Sequence, residues 1–512
     1  MRRFGKERII REQIGTMRIS KSKFVAGAQC LKRLYWQVHQ PELAAQPGAA
    51  DQAIMEQGRE VGLLARQIFP GGVEVGSDGG LGQAIRATRA LVANQEVPAI
   101  FEGVFEHDGV LVRVDVLHRR RDGRWRLIEI KSSTSVKEEH VDDVGIQSRV
   151  VSRCGVDLAS VCLAHINRNC VFDGVSIDVR RIFKIRNLTR RVQRLQPKLT
   201  FQLRAAFTVL SMPEAPDIAA GKHCISPVTC EFFDRCNPAR RNDHIGYLPR
   251  IHASAMEELE EMGVESIRDV PDDFELTEIQ RRAAMCVQTG EPWCDINGLE
   301  AALAGLRYPL FFMDFETVNP AIPQFAGSRP YDHLPFHWSL HVQREYGGQF
   351  EHHEFLAADA NDPRREFITS LCAALGENGS IAVYNAEFES QRLVELAAWL
   401  PEYGAWIENI KSRLWDLLPV IRDHVYHPAF GGSYSLKAVL PALVPEMSYE
   451  DMEVANGQSA GLAWESLVLG GMDFEECDRI RKGLLEYCRQ DTLGLVKILT
   501  MLRSMSTDFR RD

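Results

Sequence analysis

Two runs of alternating residues, Leu111-Val112-Arg113-Val114-Asp115-Val116-Leu117 and Leu127-Ile128-Glu129-Ile130-Lys131, flank Arg121-Asp122-Gly123, a pattern that commits the stretch to a β-hairpin. Side chains alternate faces along a strand, so Glu129 and Lys131 project together while Ile128 and Ile130 point the other way. Turn length then sets what lies opposite them. A two-residue Asp122-Gly123 turn would pair Arg121 with Arg124 and set Asp115 opposite Ile130. A three-residue loop, Arg121-Asp122-Gly123, closed by a left-handed glycine, sets Asp115 opposite Glu129 instead, and this geometry is expected. Two carboxylates and an ammonium on one face are hard to explain as packing, because unpaired buried charge is costly. A divalent cation held by Asp115 and Glu129 balances the group, with Lys131 placed to orient a water.

This stretch resembles the RecB-like branch of the PD-(D/E)XK nucleases, and a cysteine pattern narrows the resemblance. Ser20-Lys21-Ser22-Lys23-Phe24 precedes Cys30, and Cys224, Cys230 and Cys236 follow far downstream. One early and three late cysteines resemble the iron-sulfur subgroup of the CRISPR-associated type, which implies a 4Fe-4S cluster tying the two ends of the domain together. Four thiolates suit a soft metal or a cluster, and zinc uses the same donors. RecB-like enzymes carry a Gln-x-x-x-Tyr helix after the lysine; here Gln147 is present as a nucleic-acid contact, and Val150 or Val151 stands at the aromatic position. Glu60 is a further candidate ligand, while Cys154, Cys162 and Cys170 sit among apolar residues as buried free thiols.

The chain has 512 residues, 45% of them hydrophobic, enough for two or three cores. The sequence holds no apolar run of membrane-spanning length, and its first sixteen residues are polar and basic without a signal-peptide core. Twelve cysteines without a secretion signal fit a reducing compartment, so the expected location is the cytoplasm. Charge is uneven: residues 1–250 hold 39 Lys or Arg against 27 Asp or Glu, and residues 251–512 hold 21 against 43. A basic half with Arg180, Arg181, Lys184, Arg186, Arg190 and Arg191 suits a phosphate backbone. The acidic half repels a polyanion unless cations neutralise it.

That acidic half restarts the pattern. Tyr308 to Thr317 reads as a buried strand ending in Asp314-Phe315-Glu316; Ile381 to Glu389 reads as a strand entering a helix; Tyr487 and Asp491 lie four apart in a long helical pattern and share one side. In order and spacing these pieces resemble the DEDD 3'-5' exonucleases of the RNase H-like fold, in which four acids hold two metal ions. The resemblance assigns metal binding to Asp314, Glu316, Glu389 and Asp491, with Glu389 standing where the family has Asp, and water positioning to Tyr487. The region more closely resembles a bacterial domain of unknown function found behind RecB-like domains, through Phe312 to Thr317, Gly432 to Lys437 and Tyr487 to Thr492. Lys437, His427 and the hydroxyls of Ser433, Tyr434 and Ser435 are candidate phosphate contacts, and Asp416 is a possible extra acid.

The expected organisation is a loose extension over 1–16, a RecB-like domain over 17–240, a helical connector over 241–300 with a faint resemblance to helix-hairpin-helix elements, and an RNase H-like domain over 301–512. The resemblances imply an α/β multidomain chain acting as a Mg2+- or Mn2+-dependent nuclease of exonuclease type on DNA, less readily RNA, with a helicase or repair partner and no membrane. A protein that recognises nucleic-acid ends, or a scaffold, with one or both centres inactive is the alternative.

Overall fold

Alternating apolar residues along the strands of 99–131 build the middle of the largest sheet in the computed structural model, which describes residues 17–76, 78–237, 243–449, 452, 454, 456–469 and 473–508. The expected extension 1–16 lies outside the described residues. The fold is mixed α/β and falls into two units, Met1–Ala239 with Pro320–Asp332, and Arg240–Asn319 with His333–Asp512.

In the first unit the strands are β1 (Ile19–Ser20), β2 (Val73–Glu74), β3 (Ala99–His107), β4 (Val110–Arg119), β5 (Trp125–Lys131), β6 (Leu158–Ile166) and β7 (Phe183–Asn187). They form a seven-stranded sheet ordered β2-β3-β4-β5-β6-β7, with β1 beside β4. The hairpin adopts the three-residue loop: Arg120 N–H donates to the Arg124 carbonyl at 2.8 Å, Gly123 N–H to the Arg120 carbonyl at 3.0 Å, and Gly123 has φ +80°. The ladder runs from Arg119↔Trp125 to Val116↔Ile128, a register that sets Asp115 opposite Glu129. There the strands part, and the Asp115 carboxylate takes the Ile130 N–H at 2.7 Å. Because β3 pairs along the whole of β4, β1 and β5 must share its other edge; β1 pairs only at Val110 and Leu111, so the two fork at Asp115.

That fork places the helices. Helix α1 (Lys21–Gln29) starts straight from β1, with the Ser20 hydroxyl accepting from Lys23 N–H at 3.3 Å, and stops at Cys30, whose extended backbone opens α2 (Leu31–His39). Helix α3 (Glu138–Arg153) follows β5 and crosses α4 (Thr189–Leu210) at Gly145, where a Cβ would come within 3.0 Å of Leu199. A second apolar cluster includes Val61, Phe69, Val116 and Ile128, and Ala321, Ile322 and Tyr331 pack into it. The Tyr331 hydroxyl donates to the Ser132 carbonyl, and Gly327 N–H to the Phe172 carbonyl at 2.9 Å. The unit expected to end at 240 is therefore completed by thirteen residues from far downstream.

In the second unit a short pair, β8 (Trp293–Cys294) with β14 (Val425–Tyr426), stands beside a five-stranded sheet of β9 (Leu310–Val318), β10 (Leu334–Gln343), β11 (Phe350–Leu356), β12 (Ser380–Val383) and β13 (Leu414–Asp416), ordered β11-β10-β9-β12-β13. Strands β9, β10 and β11 are antiparallel neighbours; β12 and β13 run parallel to β9. Phe311, Met313 and Phe315 of β9 enter the core, so Asp314 and Glu316 face the other side, against α5 (Gly457–Leu469) and α6 (Phe474–Asp508). The segment expected as a helical connector has its own small core around Leu259, Ile267 and Val287 and groups with this unit. Pairing of β8 with β14 pins it there, as does the Arg282 guanidinium, which donates to the Arg422 and Asp423 carbonyls at 3.2 and 2.9 Å. Among the described residues no helix is long and apolar enough to cross a membrane.

Candidate metal centres

The fork at Asp115 gathers a dense ionic cluster. Glu129, 1% exposed, accepts at Oε1 from both Lys21 and Lys131 at 2.7 Å and at Oε2 from the Gln147 amide at 2.6 Å. Asp143 closes the ring: its Oδ2 lies 2.6 Å from Lys131, and its Oδ1 lies 3.1 Å from Lys21 and 3.0 Å from Gln147. Burial opposes the charge on Glu129, yet the two ammonium groups hold its carboxyl well below the ordinary range. Asp115 goes the other way: burial, then the neighbouring Glu129 charge, push it up to about 8. Burial also works against Lys21 and Lys131, but Glu129 and Asp143 hold both above the usual lysine value. Gln147, expected as a nucleic-acid contact, is fully buried and ties the two carboxylates together. Glu60 is exposed on its helix surface.

The four expected cysteines come together. Cys30, Cys224, Cys230 and Cys236 line one cavity with Trp36 and His223. Gln29 binds the late loop to α1 through the His223 and Val228 carbonyls at 2.6 and 2.7 Å, and Arg33 reaches Glu231 at 2.7 Å. Backbone N–H groups of Gly221 and Phe232 lie 3.5 Å from the sulfurs of Cys224 and Cys230. Burial, then the neighbouring Cys224 and Cys30, raise the Cys236 thiol. Cys154, Cys162 and Cys170 stay outside this cavity, the last two buried.

In the second unit Asp314, Glu316 and Asp491 bring carboxylate oxygens within 4.8 Å of one another. Here burial raises the first two well above the carboxylate range, and their acidic neighbours add to it. Burial pushes Asp491 only to about 6, because the Tyr449 hydroxyl, the Lys437 charge and the Tyr487 hydroxyl act against it. Glu389 stands outside that group. It is 2% exposed, its Oε2 has no hydrogen-bond partner, and burial followed by Asp314 raises it well above its ordinary value. Asp416 is a cap: it accepts from the N–H groups of Asn385, Ala386 and Leu418 at 2.9 to 3.0 Å and so fixes the turn that launches the helix bearing Glu389. The Lys437 ammonium stands 5.7 Å from the ring centres of both Tyr449 and Tyr487. His427 and Ser433 serve local turns, accepting from the N–H groups of Ala429 and Ser435.

Three residues of these centres escaped the sequence reading. Lys21 lies more than a hundred positions before Glu129, and only the unexplained lysine in Ser20-Lys21-Ser22 marks it. Asp143 was accessible, since it stands four before Gln147 and shares its helix face. Tyr449 lies in a loop with no local signal.

Residues 311–435 match a domain of unknown function, DUF2779. The matched stretch holds Asp314, Glu316 and Glu389 and ends before Lys437 and Asp491. Among curated proteins the chain is 22% identical over 232 residues to "Uncharacterized protein MG366 homolog" of Mycoplasma pneumoniae, covering 41% of this chain and 35% of the relative. It is 24% identical over 219 residues to "Uncharacterized protein MG366" of Mycoplasma genitalium, covering 39% and 33%. The chain thus spans about a third of the length of the curated relatives it matches. One solved structure, titled "Crystal structure of SSO0001", aligns at 13% identity over 42% of this chain and 98% of that one, with a TM-score of 0.19.

Proposed function

We propose that this chain is a metal-dependent nuclease with two hydrolytic centres: a RecB-like PD-(D/E)XK site in the first unit and a DEDD-type RNase H-like site in the second, acting on DNA in preference to RNA. The observation that carries the proposal is the acid group of Asp314, Glu316 and Asp491, whose oxygens lie within 4.8 Å while the unpartnered Oε2 of Glu389 is buried nearby. Clustered buried carboxylates are costly, and hard divalent cations bind such oxygens. The residues therefore fit Mg2+ or Mn2+, which when bound supplies an activated water and neutralises phosphate charge. The β11-β10-β9-β12-β13 order, with acids on the central strand and the last helix, agrees with the RNase H-like reading.

In the second centre Asp314, Glu316, Glu389 and Asp491 would hold the cations, Tyr487 would position the water, and Lys437 would meet a phosphate. In the first, Asp115 and Glu129 would hold a cation and Lys131 would orient the nucleophile, while Gln147 and Asp143 keep Glu129 and Lys131 in place. The cysteine cavity fits a soft group with four thiolate ligands. The resemblance to the iron-sulfur subgroup favours a 4Fe-4S cluster in a structural role over zinc.

Degradation of end-labelled single-stranded DNA with Mn2+, beside an RNA control, tests this in wild type, Lys131→Ala, Asp491→Ala and the double variant. Loss in one single variant assigns the chemistry to that unit. Equal inertness of wild type and double variant on both substrates rejects the proposal. Visible iron-sulfur absorbance in anaerobically purified protein tests the cluster, and colourless protein with stoichiometric zinc rejects it.

A further inference from the structure

Lys21 has no part in the reading of Asp115, Glu129 and Lys131, yet its ammonium meets Glu129 at 2.7 Å and Asp143 at 3.1 Å. The topology delivers it there. Strand β1 leaves β4 at the fork where β5 departs, and α1 begins at the next residue, so the first side chain of α1 enters the gap between the two strands. The cluster holds three carboxylates, Asp115, Glu129 and Asp143, against two ammonium groups. Adding a divalent cation to Asp115 and Glu129 over-compensates that charge, and Glu129 Oε1, which already receives both lysines, must release one of them.

Geometry selects which one. Lys131 keeps a 2.6 Å contact to Asp143 and rises from a strand that stays paired with β6 as far as Lys131↔His165; the corresponding Lys21 contact is 3.1 Å, from the first turn of a helix. Lysine is a compact charge on a flexible stem, suited to changing partners. We propose that Lys21 is the anion-binding cation of the first centre: it neutralises Glu129 and Asp143 until a divalent cation binds, then turns its ammonium to a phosphate oxygen of the incoming strand. The proposal deepens the nuclease reading of this site and rests on it.

The test uses the full chain carrying Glu316→Gln to silence the second centre, with Mn2+ binding followed by electron paramagnetic resonance and single-stranded DNA cleavage followed in parallel. Lys21→Met removes a competing cation, so Mn2+ should bind about three- to tenfold more tightly, the size of one screened charge interaction. The same variant should raise KM for DNA by about tenfold with a smaller change in kcat, and Lys21→Arg should restore KM. A merely structural lysine would leave Mn2+ affinity unchanged or weaken it, and either result overturns the proposal. If Lys21→Met fails to fold, Lys21→Arg decides: KM near wild type supports the role, and a tenfold rise overturns it. If the Glu316→Gln parent binds no Mn2+ that Glu129→Gln abolishes, the nuclease reading of the first centre fails and this inference falls with it; a parent that binds, joined to an indifferent Lys21→Met, sinks the inference alone.

Discussion

The two acidic centres solve the same electrostatic problem in opposite ways. In the first, carboxylates are answered from within the chain: Lys21 and Lys131 stand on Glu129 and Asp143, and Glu129 stays ionised although buried. In the second, burial and acidic neighbours drive Asp314, Glu316 and Glu389 toward the protonated form, and the exposed Lys437 offsets only part of this at Glu316. One centre is charge-balanced as folded; the other is balanced by protons or by added cations. Neutralising an acid should therefore harm the first and relieve the second.

The largest expected effect follows directly. Glu129→Gln leaves two buried ammonium groups with one shared carboxylate and should cost about 3–5 kcal/mol of stability, as removal of one partner of a buried pair does. Glu316→Gln in chelator at pH 8 should stabilise by about 1 kcal/mol, because it removes repulsion and keeps shape. Denaturant melts of both variants measure the contrast, and equal signs would break it.

Added Mn2+ should rank next. At a hundred times its dissociation constant a ligand that binds only the folded state adds about 2.7 kcal/mol. That gain should survive Lys131→Ala and shrink in Asp314→Asn to what the first centre contributes, as calorimetry with and without chelator would reveal. A gain undiminished in Asp314→Asn places the main cation elsewhere.

The pH response has a fixed sign. Asp491 is raised from 3.8 to about 6 and Asp115 from 3.8 to about 8. A raised carboxyl binds its proton more tightly when folded, so its stabilisation is full below the unfolded pKa and is lost as pH rises through the folded value. Metal-free protein should lose stability progressively between pH 4 and pH 8 from these two groups, while Glu129, shifted the other way, loses its contribution only under acid. Thermal melts across that range, repeated with Mn2+, measure it. A metal-free curve that is no steeper than the Mn2+ curve would contradict the assignment.

Lys437 should matter least to folding. It is exposed, so solvent screens its attraction for Asp491, and Lys437→Ala should change stability by less than about 1 kcal/mol. A larger loss of DNA affinity than of stability would mark it as a phosphate contact.

Much of this was legible locally. The Asp122-Gly123 turn allowed two registers, and the choice of the longer loop put Asp115 opposite Glu129, as the left-handed Gly123 and the 116–128 pairing realise it. Alternation along 310–318 placed Asp314 and Glu316 on one face. The sequence missed what depends on distant chain. Nothing near Tyr331 signals that its hydroxyl reaches Ser132, and nothing near Ser448 signals that Tyr449 reaches Asp491. Gln147 was expected as a nucleic-acid contact through the family resemblance; in the fold its amide meets Glu129 and Asp143, a pairing that depends on distant chain.

What the sequence by itself determined is therefore the strand and helix pattern, the faces on which acids and lysines lie, and the residues able to carry charge or bind metal, because alternation and turn chemistry are local. What only the tertiary structure decided is how those charges are balanced. The fork between β1 and β5 brings Lys21 to Glu129, whereas Asp314 meets the Cys488 thiol and the acidic Asp491. Charge compensation depends on which distant segments meet in space, and that is set by the packing of the whole unit.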